Sequence, residues 1–293
     1  MIKKRIIASV VSVFVCLGLS AQDVFSNEIA HPRPPKVPDY MVFAGDTIRF
    51  DKRDYYERMD REIMTFTYMH TNSTLMLKRA KRFFTQVEPI LKAQGVPDDL
   101  KYLMAIESNL DPKAYSTAGA AGLWQFMKGT AQEYSLEVNS EVDERYHIEK
   151  ETVAACKDLL EAYEKYGNWM TVAASYNGGQ NGISRRVERQ RQTNAMDLWM
   201  PEETSRYIYR ILAAKLMFED PSIFGFNVTP ADVYPYLPPR EVVTVSGPIA
   251  NLTDFAEKYG VTYKQIKEAN LWLRSDKLTN KNGRTYKIII PME

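Results

Sequence analysis

The sequence predicts a mainly α fold: a large helical domain followed by a small α+β domain of βααβ order. Three observations lead there. Apolar residues recur at mixed three- and four-residue spacing, as in Leu75, Leu77, Ala80, Phe83, Phe84, Val87, Ile90 and Leu91, within a helical pattern running from 53 to about 226. A stretch punctuated by Pro230, Pro235, Pro238 and Pro239 then interrupts it. Beyond that stretch, β-branched runs bracket two short helical segments.

In chain order, residues 1–21 open with the positive Met1-Ile2-Lys3-Lys4-Arg5. They continue as an apolar run from Ile6 to Leu19, broken by Ser9, Ser12 and Gly18, and end on Ser20-Ala21. This is the pattern of a secretory signal peptide, short for a membrane span, with an uncleaved N-terminal anchor as the alternative. Cys16 lies inside it after Val15, where lipid-attachment signals carry a small residue, so plain cleavage is expected over lipidation. The mature chain then keeps only Cys156 and forms no intrachain disulfide. Residues 22–52, with His31-Pro32-Arg33-Pro34-Pro35-Lys36-Val37-Pro38, read as an extended leader, because proline lacks the N–H that helix and sheet interiors use.

Residues 53–226 read as the helical domain. Pro97-Asp98-Asp99 opens a helix there, proline suiting the first turn and carboxylates its positive end. It carries Leu100, Leu103, Met104 and Ile106 and should end at 109–112, since Pro112 disfavours helix at the residue before it. Residues 227–240 read as a linker. In 241–293, 242–245 and 285–290 read as strands and 252–259 and 263–270 as short helices, together a small independent domain.

Charge and histidine content remove several function classes. The 38 basic and 37 acidic residues balance to +1, which is no polycation for nucleic acid. The run Arg185, Arg186, Arg189 and Arg191 reads as a solvated helix face, with contact to an anionic polymer as the alternative. His31, His70 and His147 are scattered, so neither a metal site nor a Ser-His-Asp triad is expected. No phosphate-cradling or dinucleotide motif occurs, and no cofactor is expected.

What remains is a carboxyl group in an unusual setting. Glu107 closes an otherwise apolar helix and is followed by Ser108-Asn109. Ala118-Gly119-Ala120-Ala121-Gly122 then lets backbone approach a ligand closely, and Leu123-Trp124-Gln125-Phe126-Met127 adds aromatic and amide groups. Ser175-Tyr176-Asn177-Gly178-Gly179 contributes a phenol and a second amide. One acid among aromatic faces and amides suits carbohydrate, whose ring faces stack on aromatics and whose hydroxyl and acetamido groups bond amides.

These motifs in this order resemble the family 1 lytic transglycosylases, which have a goose-lysozyme-like fold. Glu107-Ser108, Gly122 to Met127, Ser175-Tyr176-Asn177 and Glu203-Thr204-Ser205-Arg206-Tyr207 carry the resemblance, which extends from about Phe43 to Phe218. It implies a lysozyme-like helical domain acting on peptidoglycan glycan strands, with Glu107 as the acid/base. It also implies substrate contacts at Ser108, Ser116, Gln125, Met127, Tyr176, Asn177 and Tyr207. Ser175 stands where the family usually has alanine, and His147 where relatives often show an acid after Asp143-Glu144-Arg145. The C-terminal domain is similar to a LysM module, which binds the N-acetylglucosamine backbone of peptidoglycan; Gly260 to Asn270 and Tyr286 to Pro291 match it best. Its usual Gly-Asp-Thr-Leu entry is replaced by Ser246-Gly247-Pro248-Ile249-Ala250-Asn251-Leu252, so sugar binding is expected, with weak binding or a mainly structural role as the alternative. A periplasmic monomer is implied, with association with the outer membrane left open.

Ordinary glycosidases place two carboxyl groups across the scissile bond. The twenty residues after Glu107 hold only Asp111, which sits before Pro112 and shapes a turn. A single-acid route follows, in which Glu107 is kept protonated by burial against Leu103, Met104 and the aromatic motif, with Tyr176 or Ser116 expected to orient it. A hydrolytic muramidase of the same fold is the alternative, and a non-catalytic wall-binding scaffold fits less well with Glu107 present.

Overall fold

The computed structural model describes residues 33–292, so the signal peptide expected at 1–21 lies outside the described residues. The leader expected at 22–52 does not stay extended over its whole length. β1 (Tyr40–Phe43) and β2 (Asp46–Arg49) pair antiparallel, with Phe43 opposite Asp46. Ala44 and Gly45 between them both have positive φ, 51° and 92°, a turn geometry whose twist suits a two-residue hairpin. Met41, Phe43, Ile48 and Phe50 are buried, so a hydrophobic alternation inside the supposed leader drives it into the core. The Ala44 N–H donates to Asp99 Oδ2 at 2.7 Å, while Lys215 Nζ donates to Asp99 Oδ1 at 2.7 Å.

The helical domain follows as α1 (Arg53–Tyr68), α2 (His70–Gln94), α3 (Lys101–Ser108), α4 (Lys128–Glu133), α5 (Ile148–Tyr166), α6 (Trp169–Gly178), α7 (Gln180–Gln190) and α8 (Glu202–Glu219). The periodic face of α2 buries Leu77, Phe83, Val87 and Leu91, and the helix ends where Gly95 turns left-handed. A 3-10 turn at Asp98–Leu100 leads into α3. That helix stops ahead of the proline expected to end it: Asn109 and Leu110 are both left-handed, with φ of 51° and 52°, which breaks a right-handed helix outright. The Asn168 side chain accepts from Thr171 N at 3.0 Å and caps the start of α6. Glu62 of α1 is fully buried but meets Arg206 at 2.7 Å and Arg210 at 3.5 Å, both on α8, so its charge is compensated and the two helices are locked side by side.

The C-terminal domain has the expected βααβ order: β3 (Glu241–Val245), α9 (Leu252–Lys258), α10 (Tyr263–Ala269) and β4 (Tyr286–Ile290), with β3 and β4 antiparallel. Thr262 and Gln265 form a reciprocal capping box at the start of α10. Residues 227–240 carry neither helix nor strand, yet they are fastened to α2. Tyr234 N donates to Lys78 O at 2.7 Å, and the Tyr234 ring lies under Lys78 and Arg82. The C-terminal hydrophobic cluster also takes in Ala121, Val142 and Tyr146 from the helical domain. Among the described residues no helix is long and apolar enough to cross a membrane.

Candidate active site

Glu107 is the last acid of α3, half-buried where that helix breaks. Tyr207, one and a half turns into α8, points its hydroxyl at it and donates to Glu107 Oε1 at 2.5 Å. Burial pushes the Glu107 carboxyl from 4.5 up to about 7; the Tyr207 hydrogen bond and the Arg210 charge pull back against this, and Glu203 adds a small further push. Glu203 is exposed in the first turn of α8 and exerts the weakest of these four influences. The Tyr207 phenol is buried beside the carboxyl and its own pKa is driven far up, so it stays a proton donor.

A second wall comes from the loop between α3 and α4. Tyr115 and Phe126 each bridge to Ala121, folding residues 115–126 into a tight double turn. Gly122 sits at its centre with φ of 85°, and a Cβ there would overlap the Arg145 carbonyl oxygen and a Glu151 carboxylate oxygen. Trp124 is completely buried and held from three directions. Its indole N–H donates to Thr152 Oγ1 at 3.0 Å, its backbone N–H to Glu151 Oε2 at 3.2 Å, and its carbonyl accepts from the Tyr176 hydroxyl at 2.7 Å. Glu151 is itself buried, which drives its carboxyl pKa well up, with the N–H groups of Trp124 and Leu123 opposing. Trp124 thus fixes Gln125, whose positive φ of 53° is stabilised by its own side-chain amide donating to Gly122 O at 2.8 Å.

The structure therefore gathers Glu107, Tyr207, Tyr176 and the Trp124-Gln125 turn at one place. The Glu107 charge is felt by the buried Tyr176 phenol and raises its pKa further, as expected for neighbours. Asn177 follows at the end of α6, half-buried, and Met127 caps α4 with 46% of its surface exposed. Ser116 is placed differently from a free contact residue. Its Oγ accepts from Ala120 N at 2.9 Å and closes the loop tip. Ser108 is buried, and its hydroxyl donates back to Met104 O at 3.3 Å within α3. One residue on from Glu107 is a 100° step around a helix, which turns Ser108 into the core. Among the described residues no cluster of three or more histidine, cysteine or acidic side chains is placed to hold a metal.

Comparison with known proteins matches two segments of the chain to described domain families. The family described as Transglycosylase SLT domain matches residues 88–199, and the Soluble lytic transglycosylase C-terminal LysM-like domain matches 241–293. The chain carries a transglycosylase SLT domain. It is also similar to membrane-bound lytic murein transglycosylase D of Escherichia coli, at 25% identity over 82% of this chain and 53% of that protein. A putative tributyltin chloride resistance protein of an Alteromonas strain is 24% identical over 37% of this chain and 53% of its own length. The chain spans about half the length of these curated relatives. Among solved structures, an inactive mutant of lytic transglycosylase Slt from Pseudomonas aeruginosa matches 51% of this chain and 26% of its own, at 19% identity and a TM-score of 0.39.

The SLT match holds Glu107, the Trp124-Gln125 turn and Tyr176 but stops short of α8. Tyr207 enters the site through the packing of α8 on α3. Three residues that hold the SLT loop were not singled out from sequence: Glu151 and Thr152 behind Trp124, and Arg145, whose guanidinium donates to Gly119 O and Phe126 O at 2.8 and 3.1 Å. The Asp143-Glu144-Arg145 run was the one signal available for them, and nothing in it indicates a partner 19 or 26 residues away.

Proposed function

We propose that this chain is a peptidoglycan lytic transglycosylase of the bacterial envelope. It cleaves the β-1,4 bond between N-acetylmuramic acid and N-acetylglucosamine and leaves a 1,6-anhydromuramic end, with Glu107 as acid and then base. The observation that carries this reading is the Glu107 carboxyl itself: poised near 7 by burial and oriented by Tyr207, it can both release and take up a proton at neutral pH.

In the first step the protonated Glu107 gives its proton to the glycosidic oxygen as the bond from C1 to that oxygen breaks. The substrate's acetamido oxygen bonds to C1 and takes up the positive charge. Glu107, now a carboxylate, removes the proton from the C6 hydroxyl while O6 attacks C1 and displaces the acetamido oxygen. Glu107 ends protonated and no water is consumed. Tyr207 has the geometry to steady the carboxylate between the two steps, since a charged acceptor strengthens its hydrogen bond. Gln125, Asn177, Met127 and the rim of the Ser116 turn contact the glycan in this reading, which their partial exposure supports. The LysM-like domain adds contact with the same polymer, and an exported, envelope location fits both. The protein acts as a monomer, needs no metal or cofactor, and engages no nucleic acid.

Digestion of purified sacculi with wild type and Glu107→Gln tests the proposal. Anhydro products, lighter by one water than hydrolytic ones, are expected from wild type and none from the variant. Hydrolytic products from wild type would make the enzyme a muramidase, and cleavage by the variant would remove Glu107 from its role.

A further inference from the structure

The LysM-like domain is set firmly against the wall of the active site. Residues 137–147, between α4 and α5, receive it. Val142 bridges Leu273, Asp143 N donates to Trp272 O at 2.9 Å, and Arg274 N donates to Glu141 O at 2.8 Å, so the two backbones zip together. Side chains add to this. The Glu141 carboxylate accepts from Thr279 N at 2.7 Å and from its hydroxyl at 3.0 Å, and Glu137 accepts from Tyr286 at 2.9 Å and pairs with Arg284 at 3.4 Å. Trp272 stacks between His147 and Tyr286, and the Arg274 guanidinium lies 4.5 Å from the Tyr146 ring centre. Burial holds the His147 pKa down at about 4, so this stack is uncharged at neutral pH.

From this seam a short chain of bonds leads to the catalytic loop. Asp143, whose N–H is held by Trp272, grips Arg145 in a two-pronged ion pair at 2.9 and 2.8 Å. Both side chains are buried. The remaining arm of Arg145 donates to Gly119 O and Phe126 O, which lie on opposite strands of the turn that presents Gln125. Ala121, at the middle of that turn, packs in the hydrophobic core of the LysM-like domain.

We propose that the LysM-like domain is a brace for the catalytic loop, with Arg145 as the positioning residue that transmits its hold to residues 114–127. It therefore sets turnover on glycans too short to touch the domain's own outer surface. This rests on the proposed role of Glu107 and adds to the C-terminal domain a part distinct from sugar binding. A loop loosened by about 1 Å costs up to about a hundredfold in turnover without changing the acid itself.

The test uses the full chain and short, soluble, uncrosslinked glycan fragments. The double variant Glu137→Ala/Glu141→Ala removes the carboxylate grips and touches no residue of the groove. It is expected to lower kcat on these fragments about tenfold with little change in KM. The alkaline limb of the pH profile should not move, because the Tyr207–Glu107 bond is untouched. Amide exchange at Ala121 and Phe126, which bond each other, should quicken. Arg145→Lys keeps a positive charge beside Asp143 but loses the fork, so it should give the same kcat loss with the domain still docked. It tests the Arg145 link by itself, and Thr279→Val, which removes the hydroxyl grip on Glu141 from the domain side, replaces the double variant if that unfolds. Wild-type kcat on short fragments in Arg145→Lys, or losses confined to intact sacculi, would overturn the brace and leave the domain as a binding arm. Absence of cleavage by the wild-type chain would instead count against the function proposed for Glu107.

Discussion

Replacing Glu107 with glutamine should change stability as well as activity, and the size of the change follows from the site. The carboxyl titrates near 4.5 when unfolded and about 7 when folded, because burial disfavours its charge. At about 1.36 kcal/mol per pH unit, this gap amounts to about 3 kcal/mol. Its sign is fixed by proton uptake: between those two pH values the folded chain holds a proton that the unfolded chain has lost. The favourable contribution is whole below pH 4.5, shrinks as pH rises, and is gone above about 7. Glutamine has nothing to ionise and still accepts the Tyr207 hydrogen bond, so the variant lacks this decline. Urea unfolding of both proteins at pH 4, 6 and 8 should show the variant gaining about 3 kcal/mol relative to wild type across that range. Curves that stay parallel within about 0.5 kcal/mol, an ordinary surface-substitution effect, would mean that the carboxyl is solvated and the acid/base argument has no physical basis.

Other changes probe the supports of the site. Tyr207→Phe removes the donor that favours the ionised carboxyl; the alkaline limb of kcat/KM should move above its wild-type position and kcat should fall about tenfold or more, with an unmoved limb counting against the contact. Thr152→Val leaves the buried Trp124 indole N–H without an acceptor and should cost about 1–3 kcal/mol in denaturant unfolding. Gly122→Ala combines a left-handed φ with overlap on the Arg145 carbonyl and should cost about 3 kcal/mol or more, seen as a lower melting temperature or loss of soluble protein. Ser108→Ala should keep kcat within about twofold, since its hydroxyl bonds its own helix; a loss of an order of magnitude would return Ser108 to the substrate side.

How much of this was legible in the sequence depended on the range of the interactions. The helical periodicity of α2 and the strand-helix-helix-strand order of the C-terminal domain are local patterns, and both appear where expected. The motif segments bearing Glu107, Trp124-Gln125, Tyr176 and Tyr207 were recognisable as a set, although their convergence depends on α8 crossing α3 a hundred residues away. β1 and β2 were missed because four-residue strands carry little periodic signal and a nearby proline run suggested extension. The burial of Ser108 was not legible because adjacency to a motif residue says nothing about the helical step that separates them. Glu151 and Arg145 were not picked out because their partners are backbone atoms, which leave no mark in the sequence of the loop they hold.

The hairpin near the start of the described chain sets a limit on maturation. Phe43 and Ile48 fill the base of the helical domain, and Asp99 satisfies the Ala44 N–H while anchoring Lys215. Among the described residues Val37 is the first to be buried, so a peptidase that trims past it starts to unravel the core. An insertion at residue 45 would split the hairpin itself.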